Sequence, residues 1–151
     1  MISERIKTAI DFAMEKHNGQ LDKAGKPYFG HPLRVALSVA SRQDIPDDDD
    51  YFIVAILHDV VEDAKVSLKE IEEQWGKVVA DAVDSVSRRV KPRKETYMQL
   101  IARAKDNVIG RTVKIADIED NSDPIRIAAL PINNRDIVKR YDRAKKFLLE
   151  D

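Results

Sequence analysis

The run ILHDVVED, Ile56 to Asp63, constrains this chain more than any other stretch. It opens as an apolar segment that belongs in a core, and it carries His58, Asp59, Glu62 and Asp63 along with it. On a helix, residues four apart share a face, with Cβ atoms about 5–6 Å apart. That spacing predicts one polar edge on which His58 pairs with Glu62 and Asp59 with Asp63. One histidine and three carboxylates packed together with no cation cost heavily in desolvation and mutual repulsion. A bound divalent cation reverses that balance.

The chain around this run reads as helical throughout, with seven or eight helices in one all-α domain over residues 1–151. Ser3 is a candidate N-cap for a first helix whose apolar positions Ile6, Ile10, Phe12 and Ala13 recur at helical spacing, and which runs out near Asn18-Gly19. A loop holding Gly25, Pro27 and Gly30 leads into PLRVALSVASR, predicted to begin after His31 with Pro32 at its first position. The acidic PDDDD, Pro46 to Asp50, reads as the cap of the helix that contains ILHDVVED, because a helix N-terminus favours negative charge. Ser67 and Glu70 form a capping-box pair for a short helix ending at Gly76. The remaining helices are KVVADAVDSVSRR, ETYMQLIARAKD, VIGRTVKIADIEDN and a last amphipathic one from about Asn134 to Leu149, with RRVKPRKE as a basic, proline-broken loop. That last helix is able to pack on its own core or on a second copy of the chain, so a homo-oligomer is open.

Composition removes several classes of function. Apolar residues at 43% and charged residues at 35% describe a globular chain, not a disordered one. A formal net charge of −1 offers no global attraction to nucleic acid or to an anionic membrane. There is no cysteine, which excludes thiol nucleophiles and thiolate metal sites. No run is long enough to span a bilayer, and MISERIKTAI does not resemble a signal peptide, so a cytoplasmic location is expected. With five glycines and neither GxGxxG nor GxxxxGK[ST], the usual phosphate-cradling loops are missing.

A cation at ILHDVVED needs further ligands. His31 stands at a helix entrance between Gly30 and Pro32, and Asp117 interrupts the apolar stretch VKIADIEDN. Lys114, three residues before Asp117, and Asn121, four after it, share its helix face. Two imidazoles with carboxylates suit Mn²⁺, Fe²⁺ or Zn²⁺, and spacing alone does not choose among them. His17, in KHNGQ, reads as a structural residue at a helix C-terminal turn and stays outside the set.

KPYFGHPLRVA, ILHDVVED and VKIADIEDN, in this order and spacing, resemble the HD-domain metal-dependent phosphohydrolases. Within them the likeness is to the RelA/SpoT-type hydrolases that remove the 3′-pyrophosphate from (p)ppGpp, and it runs from the first helix through HNGQ and the turn Gly25 to Tyr28 as far as Asn121. The resemblance implies an all-α fold, His31, His58, Asp59 and Asp117 as metal ligands, and manganese as the usual ion. It implies that Glu62 and Asp63 position and deprotonate the attacking water. Asn121 would lie along the nucleotide, Lys23 and Arg88 would meet phosphates, and Lys114 would join the substrate site. At 151 residues the chain reads as a stand-alone hydrolase of the small alarmone-hydrolase type.

One departure bears on the substrate. Members acting on ppGpp read GQ-x-Arg-Lys-Ser-Gly, the arginine packing on guanine, whereas this chain reads GQLDKAG with Asp22 and Ala24. A carboxylate does not stack on a base as a guanidinium does. Three readings therefore stand side by side. The first is a (p)ppGpp hydrolase with guanine preferred. The second is an HD hydrolase of another phosphorylated nucleotide, such as a nucleoside phosphate or NADPH. The third is an idle HD domain that binds a nucleotide or a protein partner.

Overall fold

Short polar side chains start most of the helices. In the computed structural model, which describes residues 2–134 and 136–151, Ser3 accepts a hydrogen bond from the Ile6 N–H and opens α1, Glu4–Lys16. Asp48 does the same for the Asp50 N–H at the head of α3, Asp49–Leu57, so the PDDDD run is a cap. Ser67 caps α5, Leu68–Trp75, through the Glu70 N–H, but the reciprocal bond from the Glu70 side chain is absent among the described residues. A complete capping box sits instead at Thr96 and Gln99, opening α7, Tyr97–Lys105. Asn107 caps α8, Val108–Asn121, and Asp123 caps the short α9, Pro124–Ala128.

Several boundaries differ from the sequence expectation for local reasons. The second helix, α2, spans Gly30–Ala40, so His31 lies inside its first turn and Pro32 is the third residue. Proline is tolerated there because the first four N–H groups of a helix have no partner within it. The helix α6, Lys77–Ser85, stops before the two arginines; the Ser87 hydroxyl bonds back to the Val83 carbonyl at 2.6 Å and Arg88 already lies in the loop. The last helix, α10, spans Ile137–Leu149; Asn134 belongs to a 3-10 turn, Ile132–Asn134, and Arg135 lies outside the described residues.

The all-α expectation holds, with ten α-helices among the described residues where seven or eight were expected. Two account for the excess. One is α9, and the other comes from the break of ILHDVVED into α3 and α4, Val60–Ala64. The break has a specific cause. His58 Nδ1 donates to the Ala55 carbonyl at 2.7 Å, taking an acceptor that the continuing helix would use. His58 and Asp59 thus occupy a turn, and the continuous polar edge predicted from i, i+4 spacing is interrupted there.

The helix α3 is the centre of the larger core, with Ile53 to Leu57 fully buried. A helix apolar on every side has to be surrounded, and α1, α2, α6 and α8 surround it. A second cluster joins Ile101 of α7, Ile115 and Ile118 of α8, and Ala144 and Leu148 of α10. Helix α8 belongs to both, since Val113 and Ala116 pack in the first core. Its third face, carrying Lys114, Asp117 and Asn121, is left for the polar site. At Gly110 the helix passes so close to α6 that a Cβ would lie 2.0 Å from Ser85 Oγ. No helix among the described residues is long and apolar enough to cross a membrane.

Candidate metal centre and cleft

Three separate pieces of backbone bring the histidines and aspartates together. His31 comes from the first turn of α2, His58 and Asp59 from the turn between α3 and α4, and Asp117 from the middle of α8. One donor atom each from His31, His58 and Asp117 lies within 4.8 Å of the others. Asp59 joins them, its Oδ2 being 3.0 Å from His58 Nε2 and 3.7 Å from His31 Nε2. His17, the C-cap of α1, is buried against Tyr28 and Gln20 and is not part of this cluster.

The protonation pattern tests whether a cation fits. His58 Nδ1 donates to a carbonyl, so in the neutral ring Nε2 carries the lone pair. That nitrogen is buried without a hydrogen-bond partner, yet it faces Asp59 Oδ2 at 3.0 Å and Asp117 Oδ1 at 3.4 Å without alignment to either. A lone pair facing two carboxylates is repulsive unless a positive charge sits among them. Burial alone lowers the pKa of His58, but the charges of Asp59 and Asp117 outweigh it and hold the imidazole well above its ordinary value. Burial likewise works to raise Asp59, and the His58 charge overrides it and holds the carboxyl well below the usual range. Nitrogen and carboxylate donors converging on one point with a deficit of positive charge are the donor set of a divalent metal.

Beside this centre lies a cleft of about 360 Å³. Every residue nominated from the sequence lines it except His58, which closes it from behind at 1% exposure. Glu62 accepts a short hydrogen bond from the Arg88 backbone N–H. Its pKa is raised, chiefly by burial, and Asp59 adds repulsion; Asp63 is raised for the same two reasons. Carboxylates pushed up in this way suit proton acceptance near neutral pH. Lys114 is only 8% exposed and donates to Asp117 Oδ2 at 2.8 Å, while Asn121 donates to Asp117 Oδ1 at 3.1 Å. Both therefore hold the Asp117 carboxylate as well as facing the cleft. The Arg88 side chain is anchored through Nε to the Glu95 carbonyl at 2.8 Å.

Some contributors were given no role from the sequence. Tyr28 donates its hydroxyl to Asp59 Oδ2 at 2.5 Å. Arg140, on α10, stacks over Tyr97 at 5.2 Å and adds a cation to the cleft wall. Helix α10 reaches the site only through tertiary packing, which spacing does not reveal. Asp22 also behaves differently from its sequence reading. Its Oδ1 accepts from the Ala24 and Lys26 N–H groups at 2.9 Å each, and its Oδ2 lies 3.7 Å from Arg126, so the carboxylate builds the loop and is partly neutralised there. A second hollow of about 260 Å³, with Asp22, Lys23 and Arg126 in its wall, adjoins the cleft through Lys23, Tyr28, Asn121 and Tyr141.

The profile of the HD domain family matches residues 9–117. A guanosine-3′,5′-bis(diphosphate) 3′-pyrophosphohydrolase of Aquifex aeolicus is 36% identical over 124 residues, covering 79% of this chain and 17% of its own. The bifunctional (p)ppGpp synthase/hydrolase SpoT of Escherichia coli K12 is 29% identical over 126 residues, covering 78% of this chain and 18% of its own. The chain thus spans less than a fifth of the length of these relatives. Among solved structures, a metazoan ortholog of SpoT that hydrolyzes ppGpp superposes with a TM-score of 0.83 at 24% identity, over 99% of this chain and 88% of the other. That likeness carries the fold.

Proposed function

The chain belongs to the HD-domain family, and from that premise we propose that it is a metal-dependent phosphohydrolase that removes the 3′-pyrophosphate from (p)ppGpp, with residues 1–151 as one hydrolase domain. The observation that carries the reading is the unpartnered Nε2 of His58 among Asp59, Asp117 and His31, set next to Glu62 and Asp63 in one cleft. The activity by which the Aquifex relative is named supports the substrate.

His31, His58, Asp59 and Asp117 would hold the ion, with Mn²⁺ favoured by the resemblance and Fe²⁺ or Zn²⁺ compatible with the donors. When bound, a divalent ion supplies Lewis acidity toward a phosphoryl oxygen and makes water more acidic. Glu62 and Asp63 align the attacking water and take its proton, their raised pKa values matching that task. Lys23, Arg88 and Arg140 ring the cleft and offset phosphate charge in place of a glycine-rich loop. Asn121 stands where the cleft meets the second hollow, the place for a ribose between phosphates and base. Chemistry on the nucleotide pool carries a cytoplasmic location with it.

One observation favours a second reading. Asp22 occupies the position of the base-stacking arginine and is committed to its own turn, so the hollow presents no guanidinium from that loop. Another phosphorylated nucleotide, such as a nucleoside phosphate or NADPH, then becomes the substrate. The test is steady-state hydrolysis with Mn²⁺, comparing ppGpp with GTP, dNTPs, nucleoside monophosphates and NADPH by product chromatography. Fast release of GDP and pyrophosphate from ppGpp alone supports the first reading. Inert ppGpp with turnover of another nucleotide replaces it with the second, and no turnover of any points to an idle domain.

A further inference from the structure

Asp120 has no place in the chemistry above, yet it is among the most heavily bonded side chains near the site. Its Oδ2 lies 2.7 Å from His31 Nδ1, the ring nitrogen on the far side from the metal centre. Arg34 Nε donates to Oδ1 at 2.8 Å and Arg34 Nη2 to Oδ2 at 3.2 Å, while Arg126 Nη1 donates to Oδ2 at 2.7 Å. Arg126 Nη1 is also 3.2 Å from His31 Nδ1, but it is already directed at Asp120 and at Asn121 Oδ1, 2.9 Å away. A nitrogen 2.7 Å from an ionised carboxylate has to carry a proton. Nε2 lies 2.8 Å from Asp117 Oδ1 and 3.7 Å from Asp59 Oδ2, so both ring nitrogens face carboxylates, and an ion held at Nε2 would leave the ring's one proton on Nδ1, pointing at Asp120. The carboxylate spans 89 residues of sequence to reach His31 and is 13% exposed, so neither partner has freedom to turn away.

We propose that Asp120 is the positioning residue of the metal centre: clamped by Arg34 and Arg126, it fixes the tautomer and ring orientation of His31 and makes Nε2 a stronger donor. Outer partners of this kind commonly set metal affinity by 10–100-fold. The inference rests on the reading that the His31, His58, Asp59 and Asp117 cluster binds a divalent ion.

The test is Mn²⁺ affinity, measured by competition with a chelator, in wild type, Asp120→Asn and Arg34→Gln, beside the unfolding temperature of each in EDTA. Asp120→Asn is expected to weaken Mn²⁺ binding roughly 10–100-fold. Arg34→Gln separates positioning from simple charge. Deleting a nearby cation strengthens Mn²⁺ binding if only charge matters, whereas loosening the clamp weakens it, and a smaller loss in the same direction as Asp120→Asn is expected. A purely structural Asp120 lowers the EDTA unfolding temperature and leaves the Mn²⁺ affinity unchanged, which overturns the proposal. Should Asp120→Asn not fold, Arg34→Gln decides alone, since Arg34 is 49% exposed and its loss is tolerable; unchanged or tighter binding then overturns the proposal. If wild type itself binds no Mn²⁺, the metal reading fails first, which is a separate result.

Discussion

At the scale of single residues, the site is a contest between burial and charge, and the balance differs from one carboxylate to the next. Asp59 and Asp117 are held well below the usual carboxylate range despite burial, because imidazole and lysine charges surround them. At Glu62 and Asp63 burial outweighs the nearby lysine and imidazole charges and Asp59 adds repulsion, so both are raised. This split supports the proposed division of roles, with ligands on one side and bases on the other. Glu62→Gln is therefore expected to retain Mn²⁺ while turnover falls about 10²–10⁴-fold, the usual worth of a general base. The sign of the pH dependence follows, since a base works only when deprotonated and the Glu62 pKa is raised. Activity in the wild type falls as pH drops through a value above the ordinary 4.5 of glutamate, and this acid limb should shift or vanish in Glu62→Gln. Stopped-flow rates across pH with metal content measured in parallel check both. Wild-type turnover with the same acid limb removes Glu62 from the chemistry.

At the scale of elements, what was legible in the sequence depended on whether the signal was local. Caps at Ser3, Asp48 and Ser67 and the run Val108–Asn121 are local, and the helices begin where those residues place them. The site motifs were legible because ILHDVVED and VKIADIEDN put charge where burial was required. The break at His58 was not, because it depends on a side chain capturing the Ala55 carbonyl. Asp120 was hidden for a different reason: an aspartate near a helix end reads as solvated until α2 is packed against α8. The same packing makes Gly110 decisive. Alanine in a helix is favoured over glycine by roughly 0.8–1.0 kcal/mol. Here the added Cβ would meet Ser85 Oγ at 2.0 Å, and that hydroxyl is engaged with the Ala82 carbonyl at 2.7 Å. Overpacking of this kind costs about 1–3 kcal/mol, so Gly110→Ala is expected to destabilise. Adding Ser85→Ala removes the clashing atom, leaves only 3.3 Å neighbours and should recover most of the loss. Denaturant unfolding of the two single variants and the double one settles it; additive effects refute the contact.

At the scale of the whole molecule, the candidate metal centre lies where the chain's distant parts meet. The proposed donors come from residues 31, 58, 59 and 117, on α2, the turn after α3, and α8. Those elements also form the main core, α3 packing on both α2 and α8. An ion held there binds the folded state and finds no assembled site in the unfolded chain, so it stabilises the entire fold by mass action. At a free concentration of 100 times Kd the gain is about 2.7 kcal/mol. For a domain near this size each kcal/mol shifts the melting temperature by about 2–4 °C. Mn²⁺ should accordingly raise the melting temperature by about 5–10 °C over protein in EDTA. The shift should come as one cooperative transition, because the ligated elements share a core instead of forming a separable lobe. Asp59→Ala provides the contrast: it removes a donor 3.0 Å from His58 Nε2, so its melting temperature should respond little to the ion. A wild-type shift that persists undiminished in Asp59→Ala would place the ion elsewhere on the molecule. No shift in either would deny a resident metal, and with it the account of why a buried and a half-buried aspartate and two buried histidines are gathered at one point.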